Sequence, residues 1–95
     1  MKMYCLVRHD LSHAQRAVQG GHAIAQYLLE NPDTEWDNGT LVFLSVLNES
    51  ELRNWYNKLK TNTTCSCFIE PDIGHEMTAL ATVHTGDTFK ELRLM

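Results

Sequence analysis

The chain has 95 residues, of which 43% are apolar and 21% are charged, so it can form one domain with one core and does not have the composition of a disordered segment. No apolar run approaches the roughly 18 residues of a membrane span, and the first residues lack the pattern of a signal peptide. We therefore expect a single cytoplasmic domain over residues 1–95. The net charge of −4 argues against a general nucleic-acid coat.

The charge is distributed unevenly along the chain. Residues 1–22 contain one carboxylate, Asp10, against the cationic Lys2, Arg8 and Arg16, whereas the remainder is acidic. This asymmetry predicts one positive end that can meet a phosphate backbone.

The cysteines indicate a reduced protein. Cys5, Cys65 and Cys67 are an odd number, which fits poorly with a secreted disulfide framework. Cys65 and Cys67 are predicted to lie on one face of a strand, with Ser66 on the other face. A single C-x-C is a weak metal signal. We interpret all three cysteines as buried or half-buried free thiols.

The first two elements are predicted from clear local signals. Lys2–Arg8 is an apolar run typical of a buried strand. Ser12, followed three residues later by Gln15, matches a capping box and predicts a helix that begins at His13. The helix is expected to end near Glu30, because Pro32 disfavours helical geometry in the residue before it.

This helix carries two stripes at spacings of three and four residues. The first is apolar or small and is predicted to face the core; it consists of Ala14, Ala17/Val18, Gly21, Ile24/Ala25 and Leu28. The second is polar and is predicted to form the wall of a cleft; it consists of Gln15, Gln19, His22 and Gln26. Two glycines inside the helix indicate a close approach of another group. Packing explains Gly21 on the apolar stripe better than it explains Gly20.

The remaining elements follow from apolar runs and turn residues. They are a central strand Thr40–Leu47 after the Asn38-Gly39 turn, a helix from Asn48 to near Thr61, strands Thr64–Glu70 and Thr78–His84, and a tail from Thr88 that is either a short helix or an edge segment. Right-handed crossovers make the first three strands parallel and the tight last connection makes the fourth antiparallel. The predicted fold is α/β, a single-domain α/β/α sandwich with a mixed four-stranded sheet.

The order of short motifs resembles the type II peptidyl-tRNA hydrolases. The matching pieces are Val7-Arg8-His9-Asp10-Leu11, Gln19-Gly20-Gly21-His22-Ala23, Asp72-Ile73-Gly74 and the ending Leu92-Arg93-Leu94-Met95. The resemblance implies hydrolysis of the ester between a peptide and the tRNA 3′ end, without a metal or an organic cofactor. It also makes a homodimer an expectation.

The resemblance assigns roles to particular residues. Gln19 and His22 on the helix and Asp72 on the facing loop are the expected catalytic residues, with Asp72 orienting the water or its base. The expected substrate contacts are Arg8, Gln15, Arg16, His75 and Thr78. His75 is also a candidate base near neutral pH.

The chain departs from the family at Gln15, where a lysine is expected, and in the shortened loop after Gly74. Two hypotheses therefore stay open. One is an ester hydrolase. The other is a catalytically weakened or inactive relative that binds RNA ends, or a protein partner through Trp36 and the acidic loop around it.

Overall fold

The computed structural model describes residues 1–95 and contains five strands and two helices. In chain order they are β1 Lys2–Arg8, α1 His13–Glu30, β2 Thr40–Val46, α2 Glu49–Leu59, β3 Cys65–Glu70, a 3₁₀ turn Pro71–Ile73, β4 Glu76–His84 and β5 Arg93–Leu94. The predicted bounds of β1 and α1 are confirmed. Ser12 caps α1 by accepting a hydrogen bond from the Gln15 N–H at 3.2 Å.

The sheet corrects part of the predicted topology. Its order is β3-β4-β1-β2-β5, with β1 parallel to β2 and every other pair antiparallel. The α/β class is confirmed, but the sheet has five strands instead of four and only one parallel pair. Strand β4 lies between β1 and β3, so β3 keeps the direction of β1 without touching it.

The centre of the sheet is β1, not β2 as predicted. Strand β1 is buried from Met3 to Arg8, whereas β2 is exposed at its start and pairs with the short edge strand β5. The tail therefore forms the predicted edge segment, and the Met95 N–H donates to the Phe43 carbonyl at 3.0 Å.

The two helices cover opposite faces of the sheet. On β1, Tyr4 and Leu6 belong to the cluster that contains Leu52 and Leu59 of α2. The alternate residues Met3, Cys5 and Val7 belong to the cluster that contains Ala23 and Tyr27 of α1. This alternation produces the α/β/α layers.

The buried face of α1 differs from the predicted one. The residues that face the sheet are Arg16, Gln19, Gly20, Ala23 and Tyr27. The predicted core stripe is largely exposed: Val18 is 54% and Leu28 is 40% accessible. This rotation is tolerated because no fully buried side-chain nitrogen or oxygen lacks a hydrogen-bond partner, which removes the cost of burying these atoms.

The two glycines of α1 exchange their predicted roles. A Cβ on Gly20 would lie 2.5 Å from the Phe43 ring and 3.2 Å from the Cys5 sulfur, so Gly20 lets the helix approach the sheet. Nothing lies within 4 Å of a Cβ on Gly21. Packing against the sheet therefore explains Gly20, not Gly21.

The cysteines are free thiols, as predicted. Cys65 and Cys67 pack on the α2 side of the sheet, whereas the Ser66 hydroxyl donates to Glu30 of α1 at 2.6 Å. Burial raises the pKa of Cys5 and of Cys65 to about 12, so neither is a reactive thiolate.

None of the helices combines the length and the apolarity that a membrane crossing requires.

Candidate functional site

A cleft of about 260 Å³ lies between the N-terminal half of α1 and the 3₁₀ turn that follows β3. Its lining consists of Gln15, Val18, Gln19, His22, Glu70, Asp72 and Ile73. Four predicted site residues meet in this cleft: Gln15, Gln19 and His22 on α1, and Asp72 on the distant loop. Three of the four residues of the predicted polar stripe thus line a cleft, whereas Gln26 does not.

Gln19 is the centre of the hydrogen-bond network below this cleft. It is only 2% exposed, and its side-chain oxygen accepts from the Thr78 hydroxyl at 2.6 Å. Its side-chain nitrogen donates to Glu70 Oε2 at 2.9 Å and to Gln15 Oε1 at 3.2 Å. Thr78 is completely buried beneath Gln19. Every hydrogen of the Gln19 amide is therefore committed to a protein partner.

Glu70 is the residue of the cleft that sequence reasoning missed. It is the last residue of β3, and its Oε1 accepts from the backbone N–H of Asp72 at 3.2 Å. The hydrogen bond from Gln19, then that from Asp72 and the nearby His22, lower the pKa of its carboxyl group. The sequence Glu70-Pro71-Asp72 did contain a signal for a site, because it places one carboxylate on each side of a proline at the end of a strand.

His22 is held by an aromatic contact. Its ring stacks on Phe68 of β3, with the ring centroids 4.3 Å apart and the planes at 9°. The residue is exposed, and it lines the cleft together with Gln19 and Glu70. The stacking fixes the plane of an imidazole that can give or take a proton beside the cleft.

The loop after β3 places Asp72 in the cleft and His75 outside its lining. Gly74 and His75 both have a left-handed backbone, with φ of 64° and 59°. Gly74 adopts this conformation without steric cost, and it closes the 3₁₀ turn that carries Asp72. The His75 N–H donates to the Glu70 carbonyl at 3.1 Å, so the contribution of His75 that the structure shows is made by its backbone.

The guanidinium of Arg8 is occupied by carboxylates of the protein itself. It bonds both oxygens of Asp10 at 2.9 Å and Glu76 Oε1 at 2.6 Å, and it also donates to the Met77 carbonyl. These contacts keep the pKa of Asp10 below its usual range. Arg8 therefore joins the end of β1 to the start of β4, which leaves it few donors for a phosphate.

Arg16 is likewise used inside the structure. It is 8% exposed, and its Nε donates to the Leu11 carbonyl at 2.9 Å. This contact ties the first turn of α1 to the loop that precedes it. Neither Arg8 nor Arg16 lines the cleft that Gln15, Gln19, His22 and Asp72 share.

The largest cleft of the molecule is elsewhere. It measures about 570 Å³, lies at the other end of α1, and includes the acidic residues Glu30, Asp33 and Glu35 in its lining. Such a lining repels phosphate groups. The smaller cleft brings together a carboxylate pair, an imidazole and a fixed amide, which is the set of groups that hydrolytic chemistry uses.

No model of a known protein family matches this chain, and no curated protein matches its sequence.

Proposed function

We propose that this protein is a peptidyl-tRNA hydrolase-like enzyme that cleaves the ester between a peptide, or a blocked amino acid, and the tRNA 3′ end. One observation carries the proposal. Residues Gln15, Gln19 and His22 on α1 and Asp72 on a loop about fifty residues away line the same cleft. The motif resemblance assigns the reaction to three of them, Gln19, His22 and Asp72, and these three come from two separate motifs.

The chemistry needs three functions, and the cleft offers groups for them. A water molecule must lose a proton, the ester carbonyl must be polarised, and the leaving ribose oxygen must receive a proton. Carboxylates in the cleft serve the first function, and the His22 imidazole serves as a proton donor or acceptor. The amide nitrogen of Gln15, whose oxygen alone is engaged by Gln19, is the available donor for the carbonyl.

In this proposal Arg8, Arg16 and Thr78 support the cleft and do not touch the reacting ester. Arg8 holds β1 to β4, Arg16 holds the start of α1, and Thr78 holds Gln19. The homodimer remains an expectation of the family resemblance.

The test is hydrolysis of an N-acetylated aminoacyl-tRNA, measured as release of the labelled amino acid with and without a chelator. We expect release that the chelator does not change. Asp72→Ala and His22→Ala should each lower kcat/KM by about 10²-fold or more, since general acid–base groups contribute at that level.

Matched controls are available outside the cleft. His13→Ala removes an exposed imidazole at the start of α1, and Asp33→Ala removes an exposed carboxylate from the acidic cleft. Both controls should keep the wild-type rate. Circular dichroism checks that the fold survives in all four variants. Full activity of both cleft variants would reject the assignment.

The second candidate is a non-catalytic module that binds the aminoacyl end of tRNA. It is favoured by Gln15, which stands where the resembling family has a lysine and whose side-chain oxygen is already engaged by Gln19. Trp36 does not support a protein-binding version, because its indole N–H donates to the Thr40 carbonyl at 2.9 Å and the ring packs on the core.

Gln15→Lys separates the two candidates. A gain of hydrolysis would indicate an enzyme that is weakened at this position. Tight binding of the blocked tRNA without release by either protein would favour the module.

A further inference from the structure

The cleft contains two carboxylates, and the structure holds them very differently. Asp72 is exposed on the 3₁₀ turn, where its backbone N–H serves as a hydrogen-bond donor. Glu70 is half-buried at the end of β3, and both of its oxygens are fixed by donors from the protein. A general base must be positioned at hydrogen-bond distance from its water before its proton affinity matters. The anchored carboxylate satisfies that requirement better.

We propose that Glu70 is the group that takes the proton from the hydrolytic water, and that Gln19 and Thr78 are the positioning residues that hold it. This inference rests on the proposed ester hydrolase function. It assigns the base to Glu70, which Asp72 helps to fix through its backbone N–H, and leaves the exposed Asp72 carboxylate the task of orienting the water.

The first support is a chain of hydrogen bonds that begins in the core. The buried Thr78 hydroxyl donates to Gln19 Oε1 at 2.6 Å, and Gln19 Nε2 donates to Glu70 Oε2 at 2.9 Å. Thr78 is completely buried and Gln19 is nearly so. The position of the Glu70 carboxylate is therefore set by two side chains that cannot move without leaving buried polar atoms unpaired.

The second support is the orientation of the Gln19 amide. With its nitrogen toward Glu70, the amide donates to a carboxylate, which is a charge-assisted bond. The reversed amide would place its oxygen against the same carboxylate and would repel it. An ionised Glu70 and a fixed Gln19 thus stabilise each other, and both hydrogens of the amide are used. Gln19 cannot contact the ester without releasing Glu70.

The third support is that Glu70 still has hydrogen-bond acceptor positions that the protein does not use. A carboxylate has about four acceptor positions, and the protein occupies one on each oxygen of Glu70. One position on each oxygen stays available for the water. The carboxylate lines the cleft beside the His22 ring, so a water bound to it lies next to a second proton-transfer group.

The proposed step conserves atoms and charge. The water oxygen attacks the ester carbonyl carbon while one water proton passes to the Glu70 carboxylate. The bond between that carbon and the ribose 3′ oxygen then breaks, and the leaving oxygen takes the proton from Glu70. The products are a peptide carboxylic acid, which ionises, and tRNA with a free 3′ hydroxyl group.

The groups around Glu70 determine the expected pH dependence. They are His22 on α1, Asp72 and His75 on the loop, and Glu76 directly opposite on β4, whose carboxylate is paired with Arg8. The hydrogen bonds from Gln19 and Asp72 lower the pKa of Glu70. Glu70 is therefore ionised at neutral pH, and its protonation should lower the activity on the acid side.

The chain provides a matched control at the other end of α1. Glu30 also accepts from a glutamine amide, that of Gln26, and from a second donor, the Ser66 hydroxyl, each at 2.6 Å. These bonds lower its pKa as well. Glu30 belongs to the acidic cleft and not to the one with Gln19 and His22. Glu30→Gln therefore reproduces the loss of a bonded carboxylate without touching the proposed base.

The experiment measures kcat/KM of the full chain on N-acetyl-aminoacyl-tRNA from pH 3 to 8. We expect Glu70→Gln to lower kcat/KM by about 10²- to 10⁴-fold and to remove the acid limb from the residual activity. Glu30→Gln should keep both the rate and the limb. In the Glu70→Gln background, Thr78→Val should cause no further loss, because Thr78 acts through Glu70.

The outcomes separate this inference from the proposed function. Active wild-type protein with a Glu70→Gln variant within threefold of it would reject Glu70 as the base and keep the hydrolase. A large loss in Asp72→Asn with little loss in Glu70→Gln would reassign the base to Asp72. An inactive wild-type protein would reject both proposals. If Glu70→Gln fails to fold, Thr78→Val with an unchanged KM and a lowered kcat supports the inference, and a wild-type kcat rejects it.

Discussion

Helix α1 buries two long polar side chains against the sheet and exposes large apolar side chains to solvent. The inner face buries Arg16 and Gln19, whereas the outer face exposes Val18 and Leu28. The usual arrangement of an amphipathic helix is the reverse. A buried polar residue is stable where the neighbouring elements supply its hydrogen-bond partners. Isolated exposed apolar residues lower the stability of the fold only slightly.

The inner face is also where the cleft begins. The buried Gln19 side chain reaches Glu70 in the lining of the cleft. Its neighbour Gly20 lets the helix pack closely against Phe43. Close packing and the candidate site thus use successive residues of one helix turn.

The largest contrast is expected between Gln19→Leu and Gln26→Leu. Gln19 holds Glu70 from the core, so its loss should lower kcat/KM on N-acetyl-aminoacyl-tRNA by about 10²-fold, the lower range for a general base. Gln26 bonds Glu30 at the outer end of the helix and should be replaceable without loss of activity. Steady-state kinetics decide the matter, and equal rates for the two variants would contradict the role of Gln19.

The second contrast concerns the adjacent glycines. Gly20→Ala would drive its methyl group into Phe43 and Cys5 and should destabilise the protein by about 1–3 kcal/mol. Gly21→Ala has open space and a helical backbone, so it should stabilise by about 0.5–1 kcal/mol. Urea denaturation gives both free energies of unfolding. The same sign for both variants would mean that the helix does not lie on the sheet as described.

The hydrogen bond between Gln19 on the inner face of α1 and Glu70 of β3 should make the stability of the protein depend on pH. The folded-state pKa of Glu70 lies below its unfolded value, so the stability that it contributes is present above about pH 4.5 and is lost as the pH falls through the folded value. Glu70→Gln should therefore lose less stability than the wild type between pH 5 and pH 3. Urea denaturation at several pH values measures these losses, and parallel curves for the two proteins would contradict the ionised Gln19–Glu70 bond.

The smallest change in stability is expected for a substitution on the outer face of α1. Val18→Lys places a charge on a residue that is 54% exposed, so the free energy of unfolding should change by less than about 0.5 kcal/mol. Thermal denaturation at two protein concentrations checks this. A loss above 1 kcal/mol that depends on concentration would show that another molecule covers this face.

Local signals predicted the elements well. Ser12 defines the start of α1 through its hydrogen bond to Gln15, and Pro32 limits its end. The apolar run Lys2–Arg8 forms a strand with the predicted bounds. Each of these signals acts over a few residues, so a single sequence contains enough information for it.

The orientation of α1 could not be predicted in the same way. The burial of Gln19 depends on Glu70 and Thr78, which lie more than fifty residues further along the chain. The hydrophobic periodicity alone therefore predicted that the face with Val18 and Leu28 is buried, which is wrong. Glu70 was missed for the same reason, since its importance comes from a partner on another element.

The connections between the elements do not determine the order of the strands in the sheet. Crossover rules give the direction of a strand but not the edge at which the fourth strand is added. Here β4 enters between β3 and β1, and a fifth strand extends the other edge.

That insertion has a consequence for biosynthesis. Strand β4 leaves the ribosome after β1, β2, β3 and both helices, yet it pairs along nearly the whole length of β1 and supplies Thr78. Until residues 76–84 are available, β1 presents an open edge, and such edges are prone to pair with other chains. The cleft therefore needs β4, so a chain that stops before β4 has neither a covered β1 edge nor the support for Gln19.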